Sequence, residues 1–244
     1  SNAPRELPGP DAFDKDIMRE PTADERRAYQ MARQSRDEDA LAKFRLEQQR
    51  RQGRDRQQIS EIQRWWLKRM IETPRPLEEK MTLFWHGHFA TSYRTIENSY
   101  HMFLQNQLLR THALGNFSDL LQGIIRDPAM LKYLNNDTSR KGRANENLAR
   151  EVMELFSLGL GGYSEKDIKE GARALTGYTF RDDQFFFDKN NHDQNPKTIL
   201  GRTGAFDGEA FVRIILDQPG VARFITRKLY HFFAAELPPL ERAD

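Results

Sequence analysis

Residues 59–70 read ISEIQRWWLKRM, and the apolar side chains in this stretch recur every three or four positions. That spacing is the repeat of an amphipathic α-helix, so the stretch predicts a helix that packs one face against a core. The apolar residues on this face are Ile59, Ile62, Trp66 and Met70. Pro74 and Pro76 follow and end the helix, because proline disfavours helical backbone in the residue before it.

The helix extends far upstream of this stretch. Between Thr22 and Glu72 the chain contains no proline and a single glycine, Gly53. Thr22 and Glu25 form the sequence pattern of a capping box, in which two side chains satisfy free backbone N–H groups at a helix start. We therefore predict one long helix over residues 22–72.

The residues on either side of this helix differ from it in composition. Residues 1–21 are rich in proline and charge and lack helical periodicity, which predicts an extended arm. The first three residues, Ser-Asn-Ala, resemble the remainder of a cleaved expression tag, so a native leader is expected to have been removed when the chain was trimmed. Residues 73–244 predict a helical core domain.

The core domain predicts many helices and little sheet. Helix starts are marked by capping residues, as at Asp127-Pro128, where a cap precedes a proline at the first helical position. The only predicted strands are residues 185–187 and 198–200, which we expect to pair as one hairpin. The predicted fold is mainly α: an irregular multi-helix domain with a long N-terminal helix and one small β-hairpin.

The composition of the 244 residues excludes several classes of protein. The 38 basic and 36 acidic residues leave a net charge of +2, whereas a nucleic-acid-binding surface needs a clustered excess of positive charge. The Arg- and Gln-rich stretch 45–58 has acids interleaved with its bases and predicts a solvated helix face. Cysteine is absent, which excludes disulfides and cysteine zinc sites. No apolar run reaches the roughly 20 residues of a membrane span.

The sequence His86-Gly87-His88 suggests a metal site, but helical geometry opposes it. Residues two apart on a helix point about 200° apart, so both imidazoles reach one ion only if Gly87 breaks the helix. On a helical wheel His88 falls on the apolar face and His86 opposite it. We predict a core histidine at position 88, a surface or site-facing histidine at position 86, and neither a metal nor a cofactor.

A second polar-rich segment, residues 135–154, contains a carboxylate at the edge of an apolar stripe. Glu151 has Leu148 and Leu155 as its helical neighbours. A carboxylate in this position is either paired with an arginine or has a raised pKa. Glu146 lies on the same helix, spaced for surface ion pairs with Arg150. The candidate acid/base residues are His86, Glu146 and Glu151.

The loop before this helix delivers cations to the helix start. Free backbone N–H groups and the helix dipole favour an anion at such a position. We predict a site for a carboxylate, sulfate or phosphate group of a ligand. Its anion-binding candidates are Arg140, Lys141, Arg143 and Arg150. The alternative is that these cations pair with Asp137 and nearby acids.

Several motifs, in order along the chain, resemble the bacterial family called Domain of Unknown Function 1800. They span about Trp65 to Phe233. The segments that carry the resemblance are Trp65-Trp66-Leu67, residues 81–89 (MTLFWHGHF), Gln105-Asn106-Gln107, residues 126–130 (RDPAM), residues 145–156 (NENLAREVMELF), residues 173–178 (RALTGY), His192-Asp193 and Arg227-Lys228-Leu229. The polar motif positions of the family fall here on His86, His88, Asn145, Glu146, Asn147, Arg150, Glu151 and Glu154.

The resemblance implies an exported, periplasmic or cell-envelope protein, in a family whose members are longer than this chain at both ends and for which no activity is established. Its members are often encoded beside a sulfatase-like protein. Two functions are therefore expected. The first is a hydrolase-like or polysaccharide-processing enzyme with an anionic or carbohydrate ligand. The second is a non-catalytic helical scaffold, or a binding partner of a co-exported sulfatase-like protein.

Overall fold

A computed structural model of the protein describes residues 13–234. The described chain is mainly helical, as the sequence predicts. Its helices are α1 (Ala23–Ser35), α2 (Glu38–Glu72), α3 (Pro76–His88), α4 (Tyr93–Ile96), α5 (Ser99–Thr111), α6 (Phe117–Ile124), α7 (Pro128–Tyr133), α8 (Asn147–Met153), α9 (Glu165–Ala174), α10 (Gly208–Leu216) and α11 (Gly220–Phe233). A 3₁₀ turn (Asn136–Thr138) and a π-helix (Glu154–Leu158) add to these. None of the helices in this part of the chain combines the length and apolar character needed to cross a membrane.

The predicted long helix is two helices, broken at Arg36. The capping box that starts α1 is present, because the Thr22 side chain accepts from the backbone N–H of Glu25 and the Glu25 side chain accepts from that of Thr22. Arg36 then adopts a left-handed conformation, and the Asp37 side chain caps the start of α2. The sequence contains this second cap, but without proline or glycine beside it the break was not predicted.

Helices α1 and α2 pack side by side as an antiparallel helical hairpin. The rings of Tyr29 and Phe44 contact each other edge-on, with their centroids 5.5 Å apart. Only the second half of α2 reaches the core, where Ile59 and Ile62 are buried as the periodicity predicts. Asp55, which the sequence reading counts among solvated acids, is buried too, and accepts from the backbone N–H and the hydroxyl of Ser99 at 2.8 and 2.6 Å.

The main core lies beneath α8. Helices α6, α8, α9 and α10 contribute many of its fully buried side chains, among them Leu121, Leu148, Ile168 and Phe211. The π-helix extends α8 and brings Phe156 into the same core. The polar edge of α8, which carries the predicted glutamates, therefore lies directly beside the main core.

The sheet structure differs from the single predicted hairpin. Strand β1 (Tyr178–Arg181) pairs antiparallel with β2 (Gln184–Phe187), and β3 (Lys197–Ile199) pairs with β4 (Arg202–Gly204). The predicted strands 185–187 and 198–200 thus belong to two hairpins rather than to one. The partner strands are only four and three residues long, too short for their side-chain alternation to give a clear strand signal.

The segment before α1 is fixed to the helices. Phe13 packs edge-on against the rings of Trp65 and Phe103, with centroid distances of 6.0 and 4.8 Å. The amide of Gln58 accepts from the backbone N–H of Asp14 and donates to its carbonyl oxygen, both at 2.9 Å. Of the predicted extended arm, residues 1–12 lie outside the described chain, and the remaining part is a strap held on α2 and α5.

Candidate functional site

His86 and His88 occupy the two environments that the helical wheel predicts. His88 is buried, and its Nε2 donates to the carbonyl oxygen of Phe156 at 3.0 Å. Burial, together with the charge of Lys228, lowers the pKa of His88 to about 3. His86 is half-buried and lies against the ring of Trp66, with the ring centroids 4.9 Å apart. Burial also lowers the pKa of His86, so both imidazoles are neutral at pH 7.

Glu146 and Arg150 form an ion pair that includes a third residue. The guanidinium of Arg150 donates to both carboxylate oxygens of Glu165, at 2.9 and 2.8 Å, and to Glu146 at 3.3 Å. The positive charge of Arg150 is therefore already neutralised by two carboxylates within the protein. Of the four predicted anion-binding residues, this one is already occupied.

Glu151 lies, as predicted, at the edge of the core. It is half-buried, and no ion pair to it is present within residues 13–234. Partial burial and the neighbouring charge of Glu154 raise the pKa of Glu151. Of the two predicted alternatives, an arginine pair or a raised pKa, the structure has the second. Burial and the neighbouring charge of Glu154 also raise the pKa of Tyr163, whose phenol lies near this acidic pair.

The basic loop is a tight turn. Arg140 and Arg143 pair through their backbones around Gly142, which has a φ of +77°. The backbone N–H of Lys141 donates to the carbonyl oxygen of Asn191 at 2.7 Å and ties the turn to the next loop. Asp137, the predicted alternative partner, instead pairs with Lys132 at 3.5 Å. Arg140, Lys141 and Arg143 are all exposed.

These residues do not assemble into one catalytic site. In the described part of the chain no hydrogen bond or ion pair joins His86 to Glu146 or to Glu151. His86 lies on α3 with its ring against α2, whereas Glu146 is the residue before α8 and Glu151 lies within α8. Residues 13–234 also contain no group of three or more His, Asp or Glu side chains placed to hold a metal ion.

A cleft of about 1000 Å³ lies elsewhere, between the strap before α1 and the β1–β2 hairpin. Tyr100 and Leu104 of α5 line it between the two walls. None of the seven predicted site residues is among the described residues that line it. The walls are made by Lys15, Asp16, Arg19, Glu20, Pro21, Thr22 and Arg26 on one side and by residues 181–186 on the other.

Strand alternation decides what the hairpin presents to this cleft. Phe185 and Phe187 point to one face and pack against Tyr178, each with ring centroids 5.2 Å apart. The intervening residue, Phe186, points to the opposite face, as alternation requires. The guanidinium of Arg181 lies over the Phe186 ring, 3.5 Å from its centroid. The outer face of the hairpin therefore offers an aromatic ring beside a cation.

A buried histidine, His101, contacts the turn of the β1–β2 hairpin. His101 of α5 is 3% exposed, and its Nε2 lies 3.0 Å from the carbonyl oxygen of Asp182 and 3.3 Å from Oδ1 of Asp183. Both neighbours are acceptors, so Nε2 carries a proton. The other ring nitrogen, Nδ1, has no partner among the described residues. The ring lies behind the wall that Asp182 and Asp183 form.

Sequence reasoning missed the cleft because its walls are far apart in the chain. Residues 15–26 were read as an arm and a helix start, and residues 185–187 as a strand without a function. One signal was available: Asp182-Asp183 stands between two short runs rich in aromatic residues, and aspartates between two such runs are typical of a hairpin turn. The pairing of that hairpin with the N-terminal strap is a tertiary contact that no local pattern encodes.

Comparison with known proteins identifies the chain at the level of a family. A model described as "Protein of unknown function (DUF1800)" matches residues 5–243, nearly the whole chain, so the protein belongs to this family. The resemblance based on the ordered motifs is thereby confirmed. No curated protein and no solved structure matches the chain.

Proposed function

We propose that the protein is an exported domain that binds a polysaccharide chain in the cleft between the N-terminal strap and the β1–β2 hairpin. The observation that carries this proposal is the cleft itself, whose volume of about 1000 Å³ is the size of a pocket for a large ligand. Its lining combines aromatic rings with charged groups of both signs. Such a lining suits a ligand that has apolar faces as well as many hydroxyl groups.

The dispersed acid/base candidates support a binding role over hydrolysis. General acid–base catalysis requires groups within hydrogen-bond reach of the reacting atoms. His86 contacts Trp66, and Glu146 is paired with Arg150, so neither is placed to act with Glu151. In a polysaccharide-processing role this domain would bind the polymer, and the catalytic groups would come from another protein or domain.

Export is the second part of the proposal. Its support is the family membership, through the resemblance that implies exported proteins. An antibody raised against the chain should detect the natural protein in the periplasmic or envelope fraction of the source cells. Detection in the cytoplasmic fraction alone would contradict export.

A glycan array tests the binding role. Wild-type protein is expected to bind at least one polysaccharide-derived glycan, and Phe186→Ala to lose most of the signal. The physical reason is that removal of the ring takes away the apolar platform and leaves Arg181 unstacked. Leu114→Ala is the matched control, since Leu114 is 61% exposed and lies outside the cleft. Equal loss in both variants, or no binding by wild type, would reject the proposal.

The scaffold alternative also has an observation in its favour. Leu155 and Leu160, on the π-helix and the loop after it, are 50% and 84% exposed. Exposed apolar side chains of this size near one another are typical of protein-binding surfaces. A co-exported sulfatase-like protein is the partner that the family resemblance suggests. Co-purification of the two wild-type proteins, lost in Leu160→Asp, would favour this alternative.

A further inference from the structure

We infer that the cleft selects a neutral, hydroxyl-rich oligosaccharide, and that Asp183, fixed by His101, is the hydrogen-bonding residue that selects it. The inference rests on the proposed function, because it names the ligand class of the same cleft. It departs from the sequence-based expectation of an anionic ligand group at the basic turn, and it concerns a different part of the molecule.

The balance of charge around the cleft is the first argument. The cations that line it are Lys15, Arg19, Arg26 and Arg181, and the carboxylates are Asp16, Glu20, Asp182 and Asp183. A site for a polyanion needs an excess of positive charge, which focuses the field on the ligand. Four cations opposed by four carboxylates give no such excess. The lining instead supplies donors and acceptors in equal measure.

Several of these charges are satisfied within the protein. Arg19 donates to both carboxylate oxygens of Glu25 at 2.8 Å, and Glu20 lies 3.9 Å from Arg26. Arg181 covers one face of Phe186. Arg19 is thus neutralised by a carboxylate outside the lining, which leaves three cleft cations beside four carboxylates. This balance gives no positive excess for an anionic ligand, and uncharged hydroxyl groups remain the matching chemistry.

The apolar strip in the cleft is the second argument. Phe186, Tyr100 and Leu104 form it, whereas the ring of Phe185 packs against Tyr178 on the other face of the hairpin. A sugar ring presents C–H groups on its faces and hydroxyl groups at its edge, so it can pack on an aromatic ring while its hydroxyls reach polar groups on either side. A flexible polar peptide has no such division between face and edge.

Asp183 supplies the third argument. Its side chain is 20% exposed and lines the cleft, and Oδ1 lies 3.3 Å from Nε2 of His101. No described donor reaches its other oxygen, Oδ2. A carboxylate with one oxygen against a ring N–H and the other free can accept a hydrogen bond from a ligand hydroxyl through the free oxygen. Each hydroxyl bound in this way contributes about 10-fold in affinity.

His101 acts as a positioning residue. Its ring touches no cleft surface itself and makes an edge-on contact with Phe180, with ring centroids 5.1 Å apart. Its Nε2 donates to the carbonyl oxygen of Asp182 and lies 3.3 Å from Oδ1 of Asp183, so the ring restrains the carboxylate by contact and through the backbone of the turn. Its replacement should therefore change the direction of the Asp183 carboxylate without removing any group from the cleft.

The experiment measures binding by calorimetry at pH 7, with cellohexaose, mannohexaose and maltohexaose as neutral probes and hexagalacturonate as the acidic probe. Wild type is expected to bind a neutral hexasaccharide, with an affinity that changes little between low and high salt. Asp183→Ala should weaken this binding about 10-fold. Asp119→Ala, a change at an exposed carboxylate outside the cleft, should leave it unchanged.

Two variants separate positioning from folding. His101→Leu should weaken binding about as much as Asp183→Ala does. His101→Gln, whose amide N–H can replace that of Nε2, should restore most of the affinity. The unfolding midpoint of each variant, followed by circular dichroism, identifies any loss that comes from unfolding. Equal weakening in His101→Leu and His101→Gln at unchanged folding would overturn the positioning role.

The outcomes also separate this inference from the proposed function. Binding of hexagalacturonate alone, with strong salt dependence and with loss in Phe186→Ala, would reject the neutral ligand class and keep the cleft as a binding site. Binding of a neutral probe that is insensitive to Asp183→Ala would reject the role of Asp183. No binding of any probe at millimolar concentration, or binding insensitive to every cleft variant, would reject both.

Discussion

At the residue scale, three helices meet on the carboxylate of Glu79. Arg110 donates to its two oxygens at 2.7 and 3.0 Å, Trp66 donates at 3.0 Å, and Arg69 donates to the same carboxylate. Both Glu79 and Arg110 have side chains only 2% exposed. Burial by itself would raise the pKa of Glu79, but the bonds and charge of Arg110, with those of Arg69, outweigh it and hold the pKa below its ordinary value.

Removal of this charge should destabilise the fold strongly. We expect Glu79→Gln to lower the free energy of unfolding by about 3–5 kcal/mol, because Arg110 is left buried without a counter-charge. Glu165→Gln is the matched control: Glu165 also takes two bonds from one arginine, but its side chain is 68% exposed, so almost no change is expected. Urea denaturation of the two variants checks this, and equal losses would contradict it.

Asp127 makes the stability of the protein depend on pH. It is buried at the start of α7, where it accepts from the N–H of Met130 and the amide of Gln105, and burial raises its pKa from 3.8 to about 6. The folded-state pKa therefore lies above the unfolded one. The stability that neutral Asp127 contributes is complete below about pH 4 and is lost as the pH rises through 6.

The variant Asp127→Asn should remove this dependence. Asparagine caps a helix about as well as aspartate and can accept the same two bonds. The stability of wild type relative to the variant should fall by up to roughly 3 kcal/mol between pH 4 and pH 7, since one pKa unit corresponds to 1.36 kcal/mol. Chemical denaturation across that range measures the difference. A difference that stays flat with pH would show that Asp127 has an ordinary pKa in the folded protein.

At the scale of elements, the junction of α9 and β1 depends on Gly177. Its φ is +78°, its N–H donates to the carbonyl oxygen of Ser139, and its own carbonyl accepts from Asp188. A Cβ at this position would lie 2.4 Å from the carbonyl oxygen of Asp188, which is backbone and cannot move aside cheaply. The glycine is thus required both by the backbone conformation and by the close approach.

Two glycine-to-alanine substitutions should have opposite effects. Gly177→Ala should destabilise the protein by about 2 kcal/mol or more, from left-handed strain together with the backbone clash. Gly87→Ala should stabilise it by about 0.5–1 kcal/mol, because Gly87 lies inside α3 with open space around its missing Cβ. Thermal unfolding of both variants tests the pair. A stabilising Gly177→Ala would contradict the backbone assignment at the α9–β1 junction.

Elements were predictable from sequence where a local signal set them. The capping box at Thr22, the cap and proline at Asp127-Pro128, and the apolar period through Ile59 and Ile62 all occur where the sequence predicts. The break at Arg36 was not predicted, since the segment contains neither proline nor glycine, and Asp37, which caps α2, also occurs inside helices. Of the second hairpin only β3 was predicted, because its partner β4 has three residues, too few for alternation to show.

At the scale of the whole molecule, the site was less predictable than the fold. Helical spacing predicts that His88 lies in the core and that Glu151 lies at the edge of the core, and it leaves open whether Glu151 is paired or has a raised pKa. It does not report the distance between α3 and α8, so it could not show that His86 and Glu151 make no contact. The cleft depends on a strap before α1 and a hairpin more than 150 residues later, which meet only through tertiary packing.

Hydrogen exchange tests the central claim, that the cleft is the functional site, most directly. The measurement compares backbone amide exchange of the full chain with and without the glycan that binds most tightly in the array. The account predicts protection confined to residues 15–26 and 181–186, the two walls of the cleft. Protection that instead appears around residues 140–165, on the basic turn, α8 and the π-helix, with the cleft walls unchanged, would contradict it.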